Sequence, residues 1–192
     1  MLVAISPAQA ATVIDQSQTV VQGAWNPLNA GWSQSFTAGH NNNVGVGIFL
    51  NNFQSSAPSG SVTLSLYASA PNGSTVALAS GTVAGTSGSW ADVSWTQIAL
   101  TIGQTYFIGM NSAQQLYSSY ASPNPYAGGM IYSSSGQPFS TNIYELAFRT
   151  YASDGAIAAV PEPATWALAI VGFAVMGATL RTRRRLATVA TA

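Results

Sequence analysis

Ser61-Val62-Thr63-Leu64-Ser65-Leu66-Tyr67-Ala68 alternates residue by residue, with Val62, Leu64 and Leu66 on one side and Thr63 and Ser65 on the other. Successive side chains of an extended chain point to opposite faces, so this stretch reads as a strand with one face buried and one wet. The same period recurs in Val46, Ile48 and Leu50 and in Tyr106, Ile108 and Met110, while Leu146 and Phe148 alternate with Glu145 and Arg149. Turn-forming clusters punctuate the strands at Asn41-Asn42-Asn43, Pro58-Ser59-Gly60, Pro71-Asn72-Gly73 and Thr86-Ser87-Gly88. No segment between Gly31 and Tyr151 carries a helical period. The expectation is an all-β fold, an antiparallel β-sandwich of jelly-roll type over residues 31–151. Residues 11–30 lead into it and 152–159 form a linker after it.

Composition narrows what such a domain can do. Only 5% of the chain is charged, and Ser, Thr, Asn and Gln solubilise the surface instead. Lysine is absent, and four of the five cationic residues are Arg181, Arg183, Arg184 and Arg185. Residues 11–159 hold Asp15, Asp92, Glu145 and Asp154 against Arg149 alone. A body so poor in cations cannot neutralise many phosphates, which argues against a nucleic-acid partner. The absence of cysteine rules out thiol catalysis, thiolate metal sites and disulfides.

Both ends read as signals. Residues 1–10, Met-Leu-Val-Ala-Ile-Ser-Pro-Ala-Gln-Ala, are expected to be the remnant of a signal peptide, with Ala8-Gln9-Ala10 the small-x-small pattern read by signal peptidase and Ala11 the mature start. At the other end, Val160-Pro161-Glu162-Pro163 precedes an uncharged run from Ala164 to Leu180. As a helix that run would rise about 25 Å, near the lower limit for crossing a bilayer's hydrocarbon core. Trp166 stands where an interfacial aromatic belongs, and the arginine cluster at 181–185 would stay cytoplasmic as a membrane-anchoring group. Pro161 and Pro163 keep the preceding backbone extended, the form in which a processing enzyme can grip it. Residues 186–192 form a tail.

The combination of Val160-Pro161-Glu162-Pro163-Ala164-Thr165-Trp166-Ala167, an apolar glycine-containing helix and Arg181-Thr182-Arg183-Arg184-Arg185 resembles the PEP-CTERM sorting signal of Gram-negative bacteria. The resemblance covers about residues 160–185. It implies recognition by an exosortase, transient anchoring in the inner membrane, and release or re-anchoring at the cell surface, commonly in species that make exopolysaccharide. On this reading Pro161, Glu162 and Pro163 are acted upon and catalyse nothing.

A looser resemblance covers the body. Ser35-Phe36-Thr37-Ala38, Val62 to Tyr67, Ala79-Ser80-Gly81-Thr82-Val83, Gly103 to Gly109, Tyr126-Ala127-Gly128-Gly129 and Leu146 to Tyr151 follow one another in an order similar to jelly-roll modules of exported bacterial proteins, of the galactose-binding-like type. Such motifs mark strands and turns, so they speak to fold and leave the ligand open.

Catalysis has little to work with. His40, the only histidine, sits in Gly39-His40-Asn41-Asn42-Asn43 and reads as a surface-loop residue, and no Gly-x-Ser-x-Gly elbow is present. A carboxylate pair for glycoside hydrolysis would have to come from Asp15, Asp92, Glu145 and Asp154. Glu145 lies four residues from Arg149 on one strand face, which suggests a solvated ion pair. No catalytic residue, cofactor or metal ligand is therefore assigned. A structural calcium would suit the fold family, but no acidic cluster has calcium-loop spacing.

Aromatic residues carry the ligand hypothesis. Tyr117, Tyr120, Tyr126 and Tyr132 crowd a segment broken by Pro123, Asn124 and Pro125. Sugar rings stack their C–H faces on exposed aromatic rings, although Tyr and Trp also fill sandwich cores. Trp90 and Trp95 are an odd number of positions apart, so at most one of them faces the core of a regular strand. The first reading is thus a non-enzymatic structural or adhesive protein of the surface or extracellular matrix, associated with exopolysaccharide or biofilm. The second is a specific carbohydrate-binding module. The third, a secreted hydrolase, is disfavoured by the shortage of acid, base and nucleophile.

Overall fold

The computed structural model describes residues 11–52, 59–139 and 143–154, together with Phe173. Residues 1–10, the Pro161–Pro163 motif, the arginine cluster and all of the expected membrane helix except Phe173 lie outside the described residues. Among those described, no helix is long and apolar enough to cross a membrane.

The chain lays down β1 (Thr12–Gln18), β2 (Gly23–Pro27), β3 (Trp32–Thr37), β4 (Asn42–Asn51), β5 (Ser59–Tyr67) and β6 (Ala79–Thr86), then β7 (Trp90–Ala99), β8 (Thr105–Ser112), β9 (Tyr117–Ala121), β10 (Ile131–Tyr132), β11 (Glu145–Leu146) and β12 (Phe148–Ser153). One turn of 3-10 helix, Leu28–Ala30, joins β2 to β3. The strands form two antiparallel sheets, consistent with a β-sandwich. The first runs β1-β12-β4-β9-β11, with β2 on β9 and β7 on β4; the second runs β10-β3-β8-β5-β6.

The alternation that decides the fold is realised in the register. Val62, Leu64 and Leu66 of β5 are fully buried, as are Val46, Ile48 and Leu50 of β4, and Ile108 and Met110 of β8 join them in one core. Phe36, Leu146 and Phe148 complete it. Full burial of each such side chain contributes about 1.5–3 kcal/mol, so the core, with no disulfide, carries the fold. Trp95 packs against this core and donates its indole N–H to Asn43 Oδ1 at 3.0 Å. Trp90 lies on the other face of β7, against Phe49.

Two expectations shift. Residues 11–30, expected to lead into the sandwich, supply β1, which pairs with β12 from Thr12↔Ser153, and β2, which pairs with β9. The sandwich therefore spans Thr12 to Ser153. Its first strand escapes an alternation test because it is an edge strand with a register shift between Ile14 and Ser17, and it leaves Ile14 54% exposed. Two of the turn clusters also belong to strands. Asn42 and Asn43 open β4, where the Asn42 side chain pairs with the backbone of Ser153 and that of Asn43 with Gly45. Ser59 and Gly60 open β5. Asparagine amides here replace missing ladder bonds, the same capacity that otherwise makes asparagine a turn former.

Candidate functional site

The four tyrosines close in sequence are not gathered into one site. Tyr117 and Tyr120 are three residues apart on β9, so they point to opposite faces. Tyr120 joins an aromatic cluster with Trp25 and Tyr144, ring centroids 5.7 and 5.3 Å away, and Trp32 and Phe139 extend it. Tyr126 packs against Phe148 at 5.2 Å, donates its hydroxyl to Gln16 Oε1 at 3.0 Å and accepts from the Thr37 amide. Burial raises its pKa, and the negative potential of Glu145 and Asp15 adds to this against the Thr37 hydrogen bond. Tyr132 belongs to the other sheet and lies against Phe107 at 5.0 Å.

Four of the ionisable groups pair with one another. Asp92 of β7 accepts from Arg149 Nε at 2.8 Å and again from Nη2, and from the Tyr151 hydroxyl at 2.8 Å. The Arg149 guanidinium lies over the Trp90 ring, 4.2 Å from its centroid. Its hydrogen bond to Asp92 raises the Arg149 pKa; burial, then the Asp92 carboxylate, push Tyr151 up to about 12. His40 Nδ1 meets Asp15 Oδ1 at 2.6 Å, which ties β1 to the turn between β3 and β4.

Glu145 overturns the expected solvated pair with Arg149, because it is fully buried at the start of β11. Its partner is Gln34 of the opposite sheet, whose Nε2 donates to Glu145 Oε1 and to the Ser35 carbonyl at 2.9 Å. The Gln34 Oε1 in turn accepts from the Leu146 amide at 3.0 Å. The amide therefore staples the two sheets through the core. Burial pushes the Glu145 carboxyl up to about 8, against the pull of hydrogen bonds from Gln34 and Asn124. At neutral pH it is largely a neutral acid.

Three surface pockets border these elements, one of them, of about 370 Å³, beside Asp92, Trp95 and Tyr151. Another, of about 320 Å³, is lined by Trp25, Asn26, Tyr120, Phe139 and Tyr144. The indole nitrogens of Trp25 and Trp32 are buried near it with no hydrogen-bond partner among the described residues. The third, of about 300 Å³, opens on the second sheet beside Trp32, Tyr67, Gly109 and Asn111. Neither Tyr67 nor Asn111 stands out in the sequence, because an outward-facing strand residue looks the same whether it lines a pocket or bare solvent. The only signal was its place on the polar side of an alternating strand.

The sandwich leaves the chemistry of the C-terminal segment to its sequence, where a proline-rich motif, an apolar run and an arginine cluster follow in order. Residues 159–185 match the PEP-CTERM protein-sorting motif. The PEP-CTERM motif marks the chain as an exported protein targeted to an exosortase, with transient membrane anchoring. It includes Pro161, Glu162, Pro163 and the four clustered arginines. No curated protein matches the chain.

Proposed function

We propose that this chain is a surface or extracellular-matrix protein with a structural or adhesive role, displayed by way of its sorting signal. The observation that carries the reading is the PEP-CTERM motif directly following a self-contained all-β domain. Residues 164–180 serve as the membrane helix, Arg181 and Arg183–Arg185 hold its cytoplasmic end, and an exosortase acts near Pro161–Pro163 of a Gram-negative cell. Signal peptidase removes the residues before Ala11.

The sandwich is of jelly-roll type. Its strand order supports this, because β1-β12-β4-β7 faces β3-β8-β5-β6 and, from β3 to β8, the chain crosses between the sheets at every connection except the β5–β6 hairpin. A role without catalysis is supported by the way the ionisable groups are spent: His40 on Asp15, Arg149 and Tyr151 on Asp92, and Glu145 on Gln34. Exopolysaccharide is the natural contact of such a protein.

Intact mass of the protein recovered from native cells tests the sorting part. A chain starting near Ala11 and ending near Pro161–Pro163 is expected. A chain that retains residues 164–192 would mean a permanent anchor and would overturn it. The adhesive part is read from cell aggregation after gene deletion, and unchanged cohesion would refute it.

A further inference from the structure

The second sheet contains no charged residue in any of its five strands, β10, β3, β8, β5 and β6. The charged side chains of the sandwich's strands lie on β1, β7, β11 and β12 of the other sheet. On the outward face of the second sheet, Thr63, Ser65 and Tyr67 of β5 pair with Asn111, Gly109 and Phe107 of β8. Gly109 has a specific consequence. A Cβ at that position would come within 2.6 Å of the Tyr67 ring, so only glycine lets the tyrosine lie down across the neighbouring strand. Phe107 backs this arrangement, itself only 8% exposed and in edge-on contact with Tyr132.

The pocket of about 300 Å³ sits on this face, with Pro71 from the β5–β6 loop on one side and Ser133 and Ser134 from the turn after β10 on the other. Its volume falls at the lower end of the range for small-ligand sites. Thr63 and Ser65 exchange hydroxyl contacts with Thr82 and Ser80 and so are held in place. The Asn111 amide, the Tyr67 hydroxyl and the Ser134 hydroxyl make no side-chain hydrogen bond among the described residues, so their donors and acceptors are unspent. An anion would find no cation here and a cation no carboxylate. A purely apolar guest would meet the Tyr67 and Trp32 rings and Pro71 interrupted by hydroxyls and an amide that it could not bond. What this lining matches is a neutral molecule with an apolar C–H face and a rim of hydroxyls.

We propose that the outer face of the second sheet is a binding site for a neutral saccharide, one sugar ring stacking on Tyr67 while its hydroxyls bond Asn111, Ser134 and Thr63. This names a ligand class for the adhesive reading above and rests on that reading for the source of the sugar. The site differs from the tyrosine segment 117–132 that the sequence suggested: none of Tyr117, Tyr120, Tyr126 and Tyr132 lines it.

The test is affinity electrophoresis of the full chain in mild detergent through gels containing dextran, galactan or xyloglucan as neutral probes and alginate as an anionic one. Retardation by at least one neutral probe, indifferent to added salt and absent with alginate, is expected. Tyr67→Ala and Asn111→Ala should each weaken it about tenfold, the equivalent of ~1.4 kcal/mol. Gly109→Ala, which displaces the Tyr67 ring while leaving its chemistry intact, should do the same. Retardation by none of the neutral probes overturns the proposal. So does retardation that these three variants leave unchanged while Trp25→Ala or Tyr120→Ala abolishes it. Sugar binding in a protein whose deletion leaves cell cohesion intact would refute the adhesive role and leave the site standing.

Discussion

Glu145 makes stability fall as pH rises, opposite to the usual effect of a native carboxylate. Its carboxyl is buried and its pKa is raised from 4.5 to about 8, so the folded chain holds this proton where the unfolded chain has lost it. A group of this kind supports the fold fully below pH 4.5, loses that support progressively up to about pH 8, and loses nothing more above it. The slope is about 1.4 kcal/mol per pH unit, which over that window sums to roughly 5 kcal/mol. That is a large share of the stability of an ordinary domain. Glu145→Gln keeps an acceptor for Gln34 and carries no titrating proton. Urea unfolding of the full chain in mild detergent, followed by tryptophan fluorescence from pH 5 to pH 8.5, compares the two. The variant should match wild type within about 1 kcal/mol at the acid end and exceed it by several kcal/mol at the alkaline end. Other titrating groups are common to both proteins, so the difference isolates residue 145. Parallel curves across the range would refute the reasoning.

Two further substitutions probe the frame. Phe148, fully buried and in contact with Tyr126, should cost about 3–5 kcal/mol when replaced by alanine, read as a lower urea midpoint with an unchanged slope. Arg149→Met removes the partner of Asp92 and the cation over Trp90. Because Asp92 is one-third exposed, water replaces part of what is lost, and about 1–2 kcal/mol is expected in the same assay. A loss above 4 kcal/mol, on the order of breaking a buried pair, would show that the cluster is drier than its exposure indicates.

What was legible in the sequence depended on how local its cause was. Val62, Leu64 and Leu66 announce their strand because one buried face forces a two-residue period within one segment. The sorting signal is equally contiguous, each part defined by its neighbours in the chain. Edge strands β1 and β2 were not legible, since an edge strand bulging past its partner needs no continuous apolar face. Glu145 looked solvated because the side chain that satisfies it, Gln34, is supplied by the opposite sheet. Asp92 and Arg149 likewise meet only through the pairing of β4 with both β7 and β12. The tyrosines failed as a group for a related reason: β9 and β10 are neighbours in sequence but enter different sheets. The pocket at Tyr67 needed a missing side chain at Gly109 on the adjoining strand, and no single-strand pattern records that.

The two ends of the sandwich leave side by side, with the Asp154 amide donating to the Ala11 carbonyl at 2.8 Å, and the sorting tail continues from β12. That strand is hydrogen-bonded on one edge to β1 and on the other to β4. A pull transmitted through a tethered C-terminus would therefore load the ladders on both sides of β12 lengthwise, in shear, so that bonds perpendicular to the strand must yield together and not one after another. With the C-terminus held, β12 would be the strand that bears the tension when the sandwich is drawn away from it.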